Sequence, residues 1–162
     1  MTDVDPVLLI RNLLISEWVH ENTSLSDTPR IHTGWYDYAS GNPQVTVTNT
    51  SETVIGGGDT AISAGTGSGG QVQIRTGIAL VNSWSGERDK LRGEGPDDED
   101  VNPKQLAFEF RKEVTRILNN NDIEEFNSIA ADGFDSFADT DGSDIIFRQE
   151  VPARYTYVER SD

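Results

Sequence analysis

Residues Gln71 to Trp84 carry the longest strand signal in the chain. Val72, Ile74, Ile78 and Leu80 share one parity, while Gln71, Gln73 and Arg75 take the other. Successive strand side chains point to opposite faces, so the alternation separates an apolar face from a polar one. It softens at Ala79 and Val81, as in a strand whose second half is covered on both faces.

Other segments supply elements to lie beside it. Arg30 to Tyr38 is aromatic and β-branched and predicts a strand, closed by the turn cluster Ser40-Gly41-Asn42-Pro43. Gln44 to Asn49 alternates next, with Val45 and Val47 on one face and Thr46 and Thr48 on the other. Phe134 to Ala138 and Asp144 to Arg160 read as a hairpin around Asp139-Thr140-Asp141-Gly142. Phe147, Val151, Ala153, Tyr155 and Tyr157 share a face of its second strand. Pro152 has no N–H to donate, which predicts an edge position or a bulge there.

Two main helices are legible. Asp5 suits an N-cap and Pro6 the first helical position, after which Val7, Ile10, Leu14 and Trp18 fall at near-helical spacing. Asn102, Pro103 and Gln105 open the second helix as a capping box does. Leu106, Phe110, Val114 and Ile117 form its buried stripe, with Glu109, Arg111, Lys112, Glu113 and Arg116 over the outer face. A short third helix is expected from Asp122 to Ala131, ended by Gly133. The fold class is therefore α+β: a mixed or antiparallel sheet flanked by two main helices, in the order helix-strand-strand-strand-helix-hairpin. The length predicts one domain over residues 1–162. Two stretches stand apart: a glycine-rich loop, 55–70, expected to be mobile until a partner pins it, and an acidic charged linker, 86–101.

Charge narrows the function. Acidic side chains number 28 against 13 basic ones, a net charge of −15, and only Lys90, Lys104 and Lys112 are lysines. A disordered acidic chain lacks the three tryptophans and the periodic apolar runs found here. A nucleic-acid binder needs basic surface to displace counterions from phosphate. Adaptation to high salt fits better, because at molar ionic strength the Debye length is about 3 Å and self-repulsion is screened. Acidic residues also favour solubility more than lysines do. With no cysteine there is no disulfide or thiolate chemistry. No apolar run reaches membrane-span length, and the acidic start, Met1 to Asp5, is unlike a signal peptide. A soluble protein made and kept on the cytoplasmic side is expected, unless it leaves within a particle.

The chemistry-bearing patterns are incomplete. Gly56-Gly57-Gly58 through Gly69-Gly70 lacks the Gly-Lys-Ser/Thr ending of a phosphate loop and opens no helix. Asp139, Asp141 and Asp144 around Gly142 have the composition of a calcium loop, but the first ligand position is Phe137 and the last is Arg148. His20 and His32 lie in different elements, and no serine stands in a nucleophile elbow. No catalytic, cofactor-binding or metal residues are assigned, and a non-enzymatic role is expected. Val54, Ile55, Ala61 and Ile62, in and beside the glycine-rich stretch, are too sparse for a core and are the candidate assembly-interface residues.

The opening helix, the segment Asn42-Pro43-Gln44-Val45-Thr46-Val47, the strand Gln71 to Val81, the helix Pro103 to Leu118 and the strand Ile145 to Val158 with its alternating tyrosines form one pattern. It resembles the tail-terminator proteins of long-tailed phages and haloarchaeal tailed viruses. The acidic stretch Gly86 to Val101 departs from it. The resemblance implies a virion protein, assembled in the host cytoplasm as a homohexameric ring at the head–tail junction, without cofactor. Its implied partners are its own copies, the tail tube protein and a head-closure or connector protein. DNA passes through the channel without sequence-specific binding. Another neck or tail-tube-related ring, or a small binding module of a halophilic cell, stands as the alternative.

Overall fold

Asp5 and Asn102 start the two helices by the same device. Asp5 Oδ1 accepts from the Val7 N–H at 2.9 Å, and Pro6 follows as the first residue of α1 (Pro6–Glu17). Asn102 Oδ1 accepts from the N–H groups of Lys104 and Gln105 at 3.0 and 3.2 Å, and Pro103 opens α2 (Pro103–Asn120). Each cap satisfies donors that the first helical turn leaves free. In this computed structural model, residues 4–39, 41, 43–58, 71–87, 91–141 and 144–161 are described.

The strands are β1 (Arg30–Thr33), β2 (Gln44–Gly58), β3 (Gln71–Gly86), β4 (Ser128–Ala131), β5 (Asp135–Asp141) and β6 (Asp144–Ser161). They make one six-stranded sheet in the order β1-β2-β3-β6-β4, with β5 also paired to β6. β1 runs parallel to β2, and every other pair is antiparallel. The protein is thus α+β, with two helices and a mostly antiparallel sheet. α1 lies on β1 and β2, and α2 on β3, β6 and β4. Ile10 and Leu14 of α1, and Leu106, Phe110, Val114 and Ile117 of α2, meet Val45, Val47, Ala79, Val81, Val151, Ala153 and Tyr155 in a single core. Trp18 meets Phe110 edge-on, with ring centroids 5.2 Å apart.

Several segments differ from their sequence expectation. The strand expected over Arg30 to Tyr38 stops at Thr33, because Gly34 takes φ +103° and turns the chain. The aromatic residues beyond it fold over the sheet face away from the helices, where Trp35 and Tyr36 each stand 5.0 Å from Trp84. Buried Gln44 holds this loop: its amide donates to the Asp37 and Gly41 carbonyls, and its Oε1 accepts from the Asp37 N–H. Trp84 Nε1 donates to Thr46 Oγ1 at 3.2 Å. The second half of β3 is therefore covered on both faces, as its softened alternation suggests.

β2 continues past Asn49 to Gly58, pairing with β3 as far as Gly58↔Val72 through two irregularities in register. The part of the expected glycine-rich loop up to Gly58 is strand, and residues 59–70, with the mobility expected of them, lie outside the described residues. The helix expected over Asp122 to Ala131 is absent; the chain turns and then forms β4, registered Ser128↔Thr156 through Ala131↔Ala153. A ten-residue helix is too short to hold on its own in spite of its alanines, and Ser128 to Ala131 instead satisfy their backbone groups on the ladder of β6.

Pro152 is on neither edge strand: β6 is flanked by β3 on one side and by β4 and β5 on the other. Its carbonyl accepts from Asp132 N–H in the connection between β4 and β5, and a strand residue's N and O point the same way. The missing donor thus falls where the ladder is already interrupted.

Glu113, expected on the outer face of α2, is 2% exposed. Its carboxylate accepts from Val19 N–H at 2.7 Å, Asn22 Nδ2 at 2.9 Å and Arg116 Nε at 2.7 Å. Burial pushes this carboxyl up, but the bonds from Arg116, Asn22 and Val19 outweigh it and hold the group below its ordinary value. One turn earlier, Glu109 takes the N–H and hydroxyl of Ser24 at 2.7 and 2.8 Å, so two carboxylates fix the segment after α1. In the charged stretch 86–101, Leu91 and Val101 are buried, Val101 N–H donates to the Leu91 carbonyl, and Ser26 N–H donates to Glu94.

Candidate functional site

Large apolar side chains left in solvent mark where a protein meets something else. Among the described residues these include Trp35 and Tyr38 after β1, Ile15 and Val19 in and after α1, and two places that bear on the argument below. On the outer part of the sheet, β2, β3 and β6 run beyond their core residues as a three-stranded ribbon, paired to Gly58↔Val72 and Gln71↔Ser161. Val54 and Ile55 lie there and are both exposed, with Val54 in register opposite Arg75 and Ile55 at the second irregularity of β2. Ala61 and Ile62, the other two candidates, lie outside the described residues.

The second place is a groove of about 540 Å³ between α2 and the β5–β6 hairpin. The register Ala138↔Phe147 and Ser136↔Gln149 puts these four residues on the hairpin face toward α2. α2 contributes Lys104, Ala107, Phe108 and Arg111, and Phe134 closes one end. Phe108 and Phe134 are 44% and 51% exposed. The Arg111 guanidinium stacks on the Phe134 ring at 3.7 Å and lies 5.1 Å from the Phe108 centroid. Lys112 Nζ is 5.5 Å from the same Phe108 ring.

Charge sets this groove apart. Arg30, Arg75, Arg116, Arg148 and Arg154 each pair with a carboxylate. Lys104, Arg111 and Lys112 make no ion pair among the described residues, and Arg111 Nε is buried without an acceptor. Three free cations thus surround an apolar groove on a chain of net charge −15.

Arg148, on the sheet face away from the helices, is its opposite. Its guanidinium lies 3.9 Å from the Phe137 ring and 5.3 Å from Trp35, and donates to Asn82, Glu150 and Asp139. Asp139, expected in an acidic turn, lies in β5 opposite Ile146 and is an arginine partner, and Gly142 lies outside the described residues. Among the described residues no group of three or more His, Asp or Glu side chains is placed to hold a metal ion. No described helix is long and apolar enough to cross a membrane.

No family model and no curated protein matches this chain. The groove residues escape a reading of one element at a time. Phe108 falls between the buried Leu106 and Phe110 of α2, and an exposed phenylalanine on an otherwise charged helix face is the local signal that marks it. Phe134 gains its meaning only from the strand pairing that carries it to Arg111.

Proposed function

We propose that this chain is a ring-forming structural subunit at the head–tail junction of a tailed virus of a halophilic host. In that role it terminates the tail tube and joins it to the neck, while DNA passes through the channel. Its partners are further copies of itself, the tail tube protein and a head-closure or connector protein. The observation that carries the reading is the separation of its exposed apolar sites. Val54 and Ile55 lie on a ribbon beyond the core, and Phe108 and Phe134 lie at the far side of the sheet order, beside β5. A ring subunit needs contact surfaces toward two neighbours and toward the next ring, whereas a monomeric binding module needs one. A channel lined by such an acidic chain repels phosphate and lets DNA slide.

Light scattering after gel filtration in molar salt tests this directly. The expected particle is about six times the 17.8 kDa chain, with ring-shaped views in electron micrographs. A monodisperse monomer at every concentration would refute it.

A further inference from the structure

We infer that the groove between α2 and the β5–β6 hairpin receives a second copy of this chain, which presents the outer face of α1 and the turn after it. This rests on the ring reading above and names the contact that closes the ring. A cyclic ring is built by heterologous contacts, in which one patch meets a different patch on the next copy. The groove offers Phe108 and Phe134 flanked by Lys104, Arg111 and Lys112, cations without carboxylate partners among the described residues. Two grooves set face to face would oppose these cations, a like-charge contact that costs affinity.

The matching surface needs exposed apolar side chains with exposed carboxylates close by. The end of α1 has them. Ile15 and Val19, four residues apart, are 49% and 39% exposed, and Glu17 and Glu21 are exposed near them, Glu21 with its carboxylate 3.3 Å from His20 Nε2; Arg11, one turn before Ile15, donates to Asn12. The turn is held in place before any contact, since Val19 N–H donates to Glu113 and Arg116 Nη2 donates to the Glu17 carbonyl. A surface that is already ordered loses less entropy on docking. α2 separates the two patches: the turn after α1 meets Glu113 and Arg116, and the groove is lined by Lys104, Ala107, Phe108 and Arg111 on another face of the same helix. Two different faces are what a head-to-tail contact needs. The Arg111 guanidinium lies 3.7 Å from the Phe134 ring centroid and has no carboxylate partner among the described residues, so a carboxylate brought to the groove supplies the kind of partner that guanidinium favours.

The absence of native cysteine gives a direct test. Two single-cysteine variants, Ile15→Cys and Phe108→Cys, both at exposed positions, are co-expressed and oxidised with diamide in molar salt. The expected result is a disulfide-linked dimer from the pair and none from either variant alone. In parallel, Arg111→Glu should weaken self-association about tenfold, because a desolvated charge pair is less screened than a surface one. Adding Glu17→Arg and Glu21→Arg to the same chain should restore it. If the wild type assembles but the cysteine pair does not link and Arg111→Glu assembles normally, the contact is overturned and the ring reading stands. If the wild type itself stays monomeric in molar salt, both fall together.

Discussion

The Tyr155 phenol donates to Glu52 Oε2 at 2.5 Å across the strand that lies between them. Gly77 of β3 is in register with both residues and leaves the passage open. A Cβ at that position would overlap the Tyr155 ring and crowd the Glu52 side chain. Tyr157 donates to the other oxygen of the same carboxylate at 2.9 Å, and Phe126 stacks on Tyr155 with centroids 4.9 Å apart. One carboxylate thus ties β2 to β6 over the top of β3.

Gly77→Ala should cost about 1–3 kcal/mol, as overpacking of a well-filled interior does. Urea unfolding in molar salt measures it. A loss below about 0.5 kcal/mol would mean that the tyrosine swings aside freely and the bridge adds little.

Alkali should act on the same bridge. Burial and the bond to Glu52 raise both phenols, Tyr155 well above its ordinary value and Tyr157 to about 12. The unfolded chain releases these protons near pH 10, the folded chain later, so their contribution is complete below pH 10 and is lost as pH rises toward 12. Each phenol contributes a slope of about 1.4 kcal/mol per pH unit in that window. Comparing wild type with Tyr155→Phe/Tyr157→Phe isolates the effect; equal slopes would refute it.

Acid should release the clamp at Glu113. Its folded carboxyl lies below the ordinary value of 4.5, so its stabilisation is present above that pH and is lost as pH falls through the folded value. Glu113→Ala should cost about 3 kcal/mol, toward the lower end for a broken buried pair because Arg116 is partly exposed. Glu113→Gln should flatten the acid limb of the stability curve. An acid limb unchanged by that substitution would place the titration elsewhere.

Phe110→Ala should cost about 3–5 kcal/mol, since the ring is fully buried and its removal also strips Trp18 of an edge-on partner. Chemical denaturation reads this too, and a change under about 1 kcal/mol is incompatible with a filled site.

Dilution of salt below roughly 0.5 M should unfold the chain, as the screening length grows past about 4 Å around a net charge of −15. Circular dichroism during dialysis follows this. A cooperative melt unchanged at low salt would remove the halophilic reading.

Local chemistry made α2 readable in advance. Asn102, Pro103 and Gln105 announce its start, and Leu106, Phe110, Val114 and Ile117 repeat at the spacing that buries one face. What stayed hidden depended on distant partners. Ser128 to Ala131 carry two alanines that favour helix, and the edge that β6 offers decides that they are strand. Glu113 looks like a surface residue until Val19 and Asn22, far earlier in the chain, arrive with their donors. Val54 and Ile55 were legible as exposed apolar residues, whereas Phe108, Arg111 and Phe134 became a site only once β5 and β6 had paired beside α2.

The central place of β6 also has a consequence for timing. All of the other strands and both helices precede β6 in sequence, yet it fills the gap between β3 and the β4–β5 pair. Pairings this distant along the chain form slowly. A nascent polypeptide that has emerged only through β5 has an unzipped margin along β3, no floor under much of α2 and no wall for the groove that Phe147 and Gln149 help to form. The sheet and the groove are then completed together, once β6 has emerged. A product cut short before β6 lacks one wall of the groove, and in the assembly proposed above it would bring an incomplete contact surface.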